Sequence, residues 1–120
     1  MTKHDILKRT KQFNIDVIIA CNNLPKTTAA FELGKQIIRS ASSIGANYRA
    51  LQRAKSNLDF VYKYKIIIEE ADETIYWLEI MSEVELLDMR TSKLLIKEAN
   101  ELISIFVASL KSYKLSHKIA

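Results

Sequence analysis

Glycine and proline are nearly missing from this 120-residue chain: Gly34, Gly45 and Pro25 are the whole set. Sheets need many turns, and turns draw on glycine, proline and asparagine. The scarcity therefore excludes a many-stranded fold and leaves a few long helices. Cysteine is as rare. Cys21 stands alone, so no internal disulfide framework is available, and a lone thiol suits a reducing compartment. Apolar runs are short: a stretch such as Val17 to Cys21 is far below the ~20 residues that cross a bilayer. Met1 to Lys11 is polar and basic, without the apolar centre of a secretory signal. A cytoplasmic protein with no membrane partner is expected.

The length fits a single domain over residues 1–120, with 48% apolar and 27% charged residues, as in globular proteins with a core. The net charge of +4 conceals a block pattern. Residues 1–65 carry twelve Lys/Arg against four Asp/Glu, residues 66–88 carry eight acids and no Lys/Arg, and the remainder carries six Lys/Arg against two acids. Blocks of opposite sign either bind foreign partners or cancel one another within an assembly.

Hydrophobic spacing predicts four helices. The first covers residues 5–21, with Ile6, Phe13, Val17, Cys21 and Leu24 at helical intervals before Asn22, Asn23 and Pro25 end the pattern. The second follows a Thr27 or Thr28 cap and runs to about residue 53, its core stripe Leu33, Ile37, Ala41, Ile44, Tyr48 and Leu51. Ser56 with Asp59 resembles a capping box opening the third helix, to about residue 83, with the stripe Val61, Tyr64, Ile68, Ala71, Ile75 and Leu78. The fourth starts near Thr91 and buries Leu95, Ala99, Leu102, Phe106, Leu110 and Tyr113. Short connections make successive helices antiparallel neighbours, so the expected fold is all-α, an up-down-up-down four-helix bundle.

The third helix has apolar surface to spare. Tyr62, Ile66, Trp77 and Ile80 fall away from its core stripe, with Glu69, Glu70 and Glu73 beside them. A helix apolar on two sides is usually buried on both, so Tyr62, Ile66, Glu69, Glu73, Trp77 and Ile80 are the expected self-association surface. A broad single core with Trp77 at its edge is the plainer alternative. On the second helix Lys35, Arg39, Arg49 and Arg53 lie within about 80° of one another, opposite the core. Such a row suits a phosphate backbone, although four cations on a solvated face, paired with nearby acids, are also ordinary. Tyr48 points to the core side, so no stacking platform accompanies the row, and any RNA contact would be to backbone and shape. Gln36, Ser40, Ser43 and Asn47 form a polar line flanking the core, read as a structural seam that fixes helix register. Gly45, unfavourable inside a helix, points to close backbone contact there.

Catalytic and metal chemistry lack their parts. Glu69, Glu70, Asp72 and Glu73 cluster, but bundle metal sites pair Glu-x-x-His motifs, and His4 and His117 near the ends complete none. Cys21 lies on an apolar side without a neighbouring histidine, and no phosphate loop or nucleophile motif occurs. No enzyme, no cofactor, no metal and no small-molecule substrate are expected.

The segments FELGKQI from Phe31, RSA from Arg39, SIGANYRA from Ser43 and ADETIYWLE from Ala71 resemble the 23S rRNA-intervening-sequence four-helix-bundle family. The likeness is strong from Phe31 to Met81 and general in the first and fourth helices. It implies a bacterial bundle assembling into a ring-like homopentamer, with RNA, the ribosome or, as in related accessory proteins of diversity-generating retroelements, a reverse transcriptase as partner. Many relatives carry an acidic residue shortly after the position of Asn47, where this chain has Arg49, Ala50 and Leu51.

Overall fold

Each helix begins at a side chain that caps it. In the computed structural model, which describes all 120 residues, α1 is Lys3–Cys21, α2 Thr28–Leu51, α3 Asn57–Glu83 and α4 Met89–Ser116. Thr2 accepts the Asp5 N–H at 3.1 Å, and the Asp5 carboxylate accepts the Thr2 N–H at 2.9 Å. This capping box starts α1 two residues earlier than the apolar spacing indicated. Thr27 caps α2 by accepting from the Ala30 N–H. Ser56 caps α3 through the Asp59 N–H, but Asp59 reaches back to the Lys55 N–H rather than to Ser56, so the expected box is displaced by one residue. Asp88 caps α4 through the Thr91 N–H at 2.8 Å, which sets its start before Thr91. These backbone hydrogen bonds hold the carboxyls of Asp5, Asp59 and Asp88 below the usual aspartate range.

Consecutive helices pack together, and α1 closes the set against α4, while α1 and α3, and α2 and α4, lie across the diagonals, where only side chains such as Tyr48 and Phe106 meet. The result is the expected four-helix bundle with helices at the corners of a square, 49 Å long and 24 × 22 Å across. The α1–α4 edge is the most lightly packed. It is tied instead by Arg9, whose guanidinium takes Glu98 with Nε and Nη2 and reaches Glu101 at 3.1 Å.

Phe13 and Val17 of α1, Ile37 and Ile44 of α2, Ile67, Leu78 and Met81 of α3, and Leu102 and Phe106 of α4 are fully buried in one shared core. Each such side chain contributes roughly 1.5–3 kcal/mol through removal from water. Tyr48, Tyr64 and Phe106 meet at ring-centroid distances of 5.9 to 6.3 Å near one end.

The stripe on α3 differs from the one its spacing suggested. Ile67, Thr74 and Met81 are fully buried, whereas Ile68 and Ile75 are half-buried at the edge of the core. The run Ile66-Ile67-Ile68 allows either phase, and a buried Thr74 makes the correct one look polar. The structure satisfies Thr74 with the Glu70 carbonyl and the Ser40 hydroxyl, each at 2.8 Å. Thr10 is buried on α1 by the same device, donating to the Ile6 carbonyl at 2.9 Å. Leu33, Cys21, Leu24 and Tyr113, expected inside, are half-buried.

Candidate functional site

The four cations of the predicted row are all exposed, but α2 ends at Leu51, two residues short of the expected end, so Arg53 lies in the following turn while Lys35, Arg39 and Arg49 stand on the outer side of the helix. Arg39 is engaged by α3: its guanidinium meets Glu70 at 3.2 Å and also binds Glu73. Glu73 in turn accepts the Trp77 indole N–H at 3.1 Å, so one chain of contacts, Arg39–Glu73–Trp77, fastens α2 to α3. Lys35 lies 3.9 Å from Glu32 and 5.1 Å over the Phe31 ring. Arg49 and Arg53 form no ion pair within the chain. The row thus divides into two cations with partners and two without.

Arg49 overhangs a groove of about 550 Å³ between α1 and α2. Across from it stand His4, Lys8 and Lys11, none of them in an ion pair, and no acid lines the groove. Gly45 and Ala46 leave its floor open, and Ser42 donates to the Asn14 carbonyl oxygen at 3.1 Å, which turns the Asn14 amide donors free of protein partners. The spacing of the α2 cations identified Arg49. The α1 wall escaped sequence reasoning, because Lys8 and Lys11 look like ordinary solvated residues until the packing of α1 on α2 brings them opposite Arg49.

A second groove of about 830 Å³ occupies the other end of the same helix pair. Leu24, Phe31 and Ile38 supply apolar surface, and Lys26, Lys35 and Arg39 are its cations. Further cations lie on α4. Arg90, Lys93, Lys97, Lys111 and Lys114 make no ion pair, while the two acids of α4, Glu98 and Glu101, are taken by Arg9. The excess of positive charge in residues 89–120 was the signal for that surface.

On α3, Tyr62 and Tyr76 are exposed by 64% and 54%, and Glu69 is exposed, forming an aromatic and acidic outer side. Ile66, Glu73, Trp77 and Ile80 are half-buried. Trp77 packs against the core of its own chain, so a lone bundle does not leave it wet. Of the polar line on α2, Ser40 is fully buried and reaches Thr74 on α3. Ser43 and Asn47 donate to carbonyls of their own helix, those of Arg39 and Ser43, and Gln36 is exposed.

No three His, Cys, Asp or Glu side chains gather as a metal-ligand set. Burial raises the Cys21 thiol above its ordinary range, the wrong direction for a nucleophile. No helix is long and apolar enough to cross a membrane.

The model of the 23S rRNA-intervening sequence protein family matches residues 2–108, which span α1 to α3 and most of α4. A crystal structure of a protein with unknown function from the S23 ribosomal protein family of Bacteroides thetaiotaomicron VPI-5482 has the same fold. It superimposes with a TM-score of 0.85 at 29% identity, covering 92% of this chain and 99% of that one. No curated protein matches the chain.

Proposed function

Because the chain belongs to the 23S rRNA-intervening sequence protein family, we propose that it is a non-enzymatic bundle that assembles with its own copies and contacts RNA or a ribonucleoprotein. The contact is made by the basic outer side of α2, and the assembly is the ring-like pentamer that the resemblance implies. Its setting is the cytoplasm. The observation that carries this reading is the separation of charge. Arg49 and Arg53 face solvent without partners, while the acids of residues 66–88 concentrate on α3 and its exit, where Glu70 and Glu73 hold only Arg39. Partnerless cations set apart from the acidic side of a small protein favour a polyanionic ligand.

Protein purified without nuclease should carry absorbance at 260 nm that is lost as salt rises. Reversing Arg49 and Arg53 together to glutamate should remove the nucleic acid and leave particle mass unchanged. Arg39 is the wrong position for this test, since its reversal would set three acids against one another at the α2–α3 seam. Retention that survives both the reversal and high salt would defeat the RNA reading.

A second reading is favoured by the exposed Tyr62 and Tyr76: the α3 side docks another protein, such as a reverse transcriptase, and the bundle acts as its accessory factor. Protein purified free of nucleic acid, with a defined protein partner bound through α3, would select it.

A further inference from the structure

We infer that the groove between α1 and α2 is a binding site for the phosphodiester backbone of single-stranded RNA, gripped by Lys8 and Lys11 on one wall and by Arg49 on the other. The inference rests on the RNA reading above and names a site for it that includes only one residue of the α2 row. Three observations converge on this place. Four cationic or protonatable side chains, His4, Lys8, Lys11 and Arg49, border one concavity from two helices, and no carboxylate borders it with them. None of the three lysine and arginine side chains has an ion-pair partner, so their charge is not cancelled within the chain. The floor at Gly45 and Ala46 carries almost no side chain, and the Asn14 amide donors nearby have no protein partner.

Concave walls with charge of one sign focus the field, so these cations act more strongly on an anion than the same number spread over the convex outer side of α4. The size of the groove bears on the ligand. A concavity of about 550 Å³ is the size that takes a small molecule or a short stretch of one strand, and is too small to enclose a duplex. No phenylalanine, tyrosine or tryptophan borders the groove and His4 is its single ring, so successive bases find no stacking platform and the strand is held by its phosphates with little sequence preference. Arg53, in the turn that follows the end of α2, lies four residues beyond Arg49. A protein occupant is the poorer fit here, because Leu7 is this groove's only large apolar residue and its charged residues are all basic, whereas its neighbour offers Leu24, Phe31 and Ile38 to an apolar partner.

The test uses oligouridylate and the intact chain, with affinity measured by fluorescence anisotropy across a salt series. The triple variant Lys8→Gln, Lys11→Gln, Arg49→Gln should bind at least tenfold more weakly near 0.1 M salt. Its plot of log affinity against log salt should be shallower by about 2, from roughly 0.7 per neutralised phosphate on a single strand. An α4 triple variant, Lys93→Gln, Lys97→Gln, Lys111→Gln, removes the same charge and should cost less than threefold. A second measurement needs no variant: bound oligouridylate should shield the Lys8 and Lys11 amines of the wild-type chain from acetylation more than those of Lys93 and Lys97. Equal losses from the two triple variants, or no selective shielding, would reduce the site to diffuse attraction and overturn the groove while leaving RNA binding intact. A particle mass that changes in the groove variant while RNA affinity does not would make the groove a contact between copies instead. Failure of the wild-type chain to bind oligouridylate at all would overturn the RNA reading and the groove together.

Discussion

The hydroxyl of Thr74 on α3 lies 2.8 Å from that of Ser40 on α2, and both residues are fully excluded from solvent. Two polar groups inside an apolar core are tolerated because each also has a backbone carbonyl within reach, Glu70 for Thr74 and Ile37 for Ser40. The pair fixes the rotation of α3 against α2. It does so at the position where the isoleucine run leaves that rotation undecided.

The two hydroxyls should therefore behave as one unit in stability measurements. Thr74→Val alone, or Ser40→Ala alone, is expected to cost about 1 kcal/mol, the net worth of a buried hydrogen bond. The double variant should cost little more than either single one, because the hydrogen bond the two share is already lost in each. A double-mutant cycle by urea denaturation gives the coupling; strictly additive losses would show that the two groups do not depend on each other.

Gly45 presents the opposite situation, a residue whose apparent purpose the packing does not require. A methyl group there would meet the Thr10 backbone and hydroxyl at 3.5 Å, an ordinary contact distance. Gly45→Ala should thus recover the helix propensity that glycine lacks and stabilise the bundle by up to about 1 kcal/mol. A lowered melting temperature would mean that α1 sits closer to α2 in solution than this geometry allows.

Four helices, their order and most of their core stripes were legible because long amphipathic segments leave little choice of period. The helix starts at Thr2 and Asp88 were not, since both caps precede the first apolar repeat. Nor was the phase of α3, where Thr74 replaces an expected hydrophobe and its partner Ser40 is 34 residues away. The candidate groove was half visible. Arg49 belonged to a recognisable row, but Lys8 and Lys11 gain their meaning only from the helix that packs beside them. Long-range pairing also removed Arg39 from the free row, because its partners Glu70 and Glu73 lie on another helix.

Ion pairs across helices should differ in worth according to exposure. Arg9 is 27% exposed at its side chain, holds Glu98 with two nitrogens, and bridges the thinly packed α1–α4 edge. Arg9→Ala is expected to cost about 1–2 kcal/mol, shrinking in high salt. Arg39 is 48% exposed, and Arg39→Ala should cost no more than about 1 kcal/mol, as exposed pairs usually do. Denaturation midpoints of the two variants, at low and high salt, would reveal a failure of this ordering.

Alkaline pH gives a test of the aromatic cluster. Burial pushes the Tyr48 hydroxyl up to about 12, with the neighbouring Tyr64 adding to the shift. Burial raises Tyr64 as well. An exposed tyrosine in the unfolded chain ionises near 10. Below that pH both states keep the proton and the full contribution to stability is present. As pH climbs from about 10 towards 12, the unfolded chain loses its protons first, so unfolding becomes progressively easier. The decline attributable to Tyr48 is at most on the order of 1.4 kcal/mol per pH unit over that window. Tyr48→Phe cannot ionise, so its urea midpoint should fall less steeply than that of the wild-type chain between pH 10 and 12, whatever the offset between them at pH 8. Parallel curves across that range would show that the Tyr48 hydroxyl is not shielded from water by Tyr64 and Phe106.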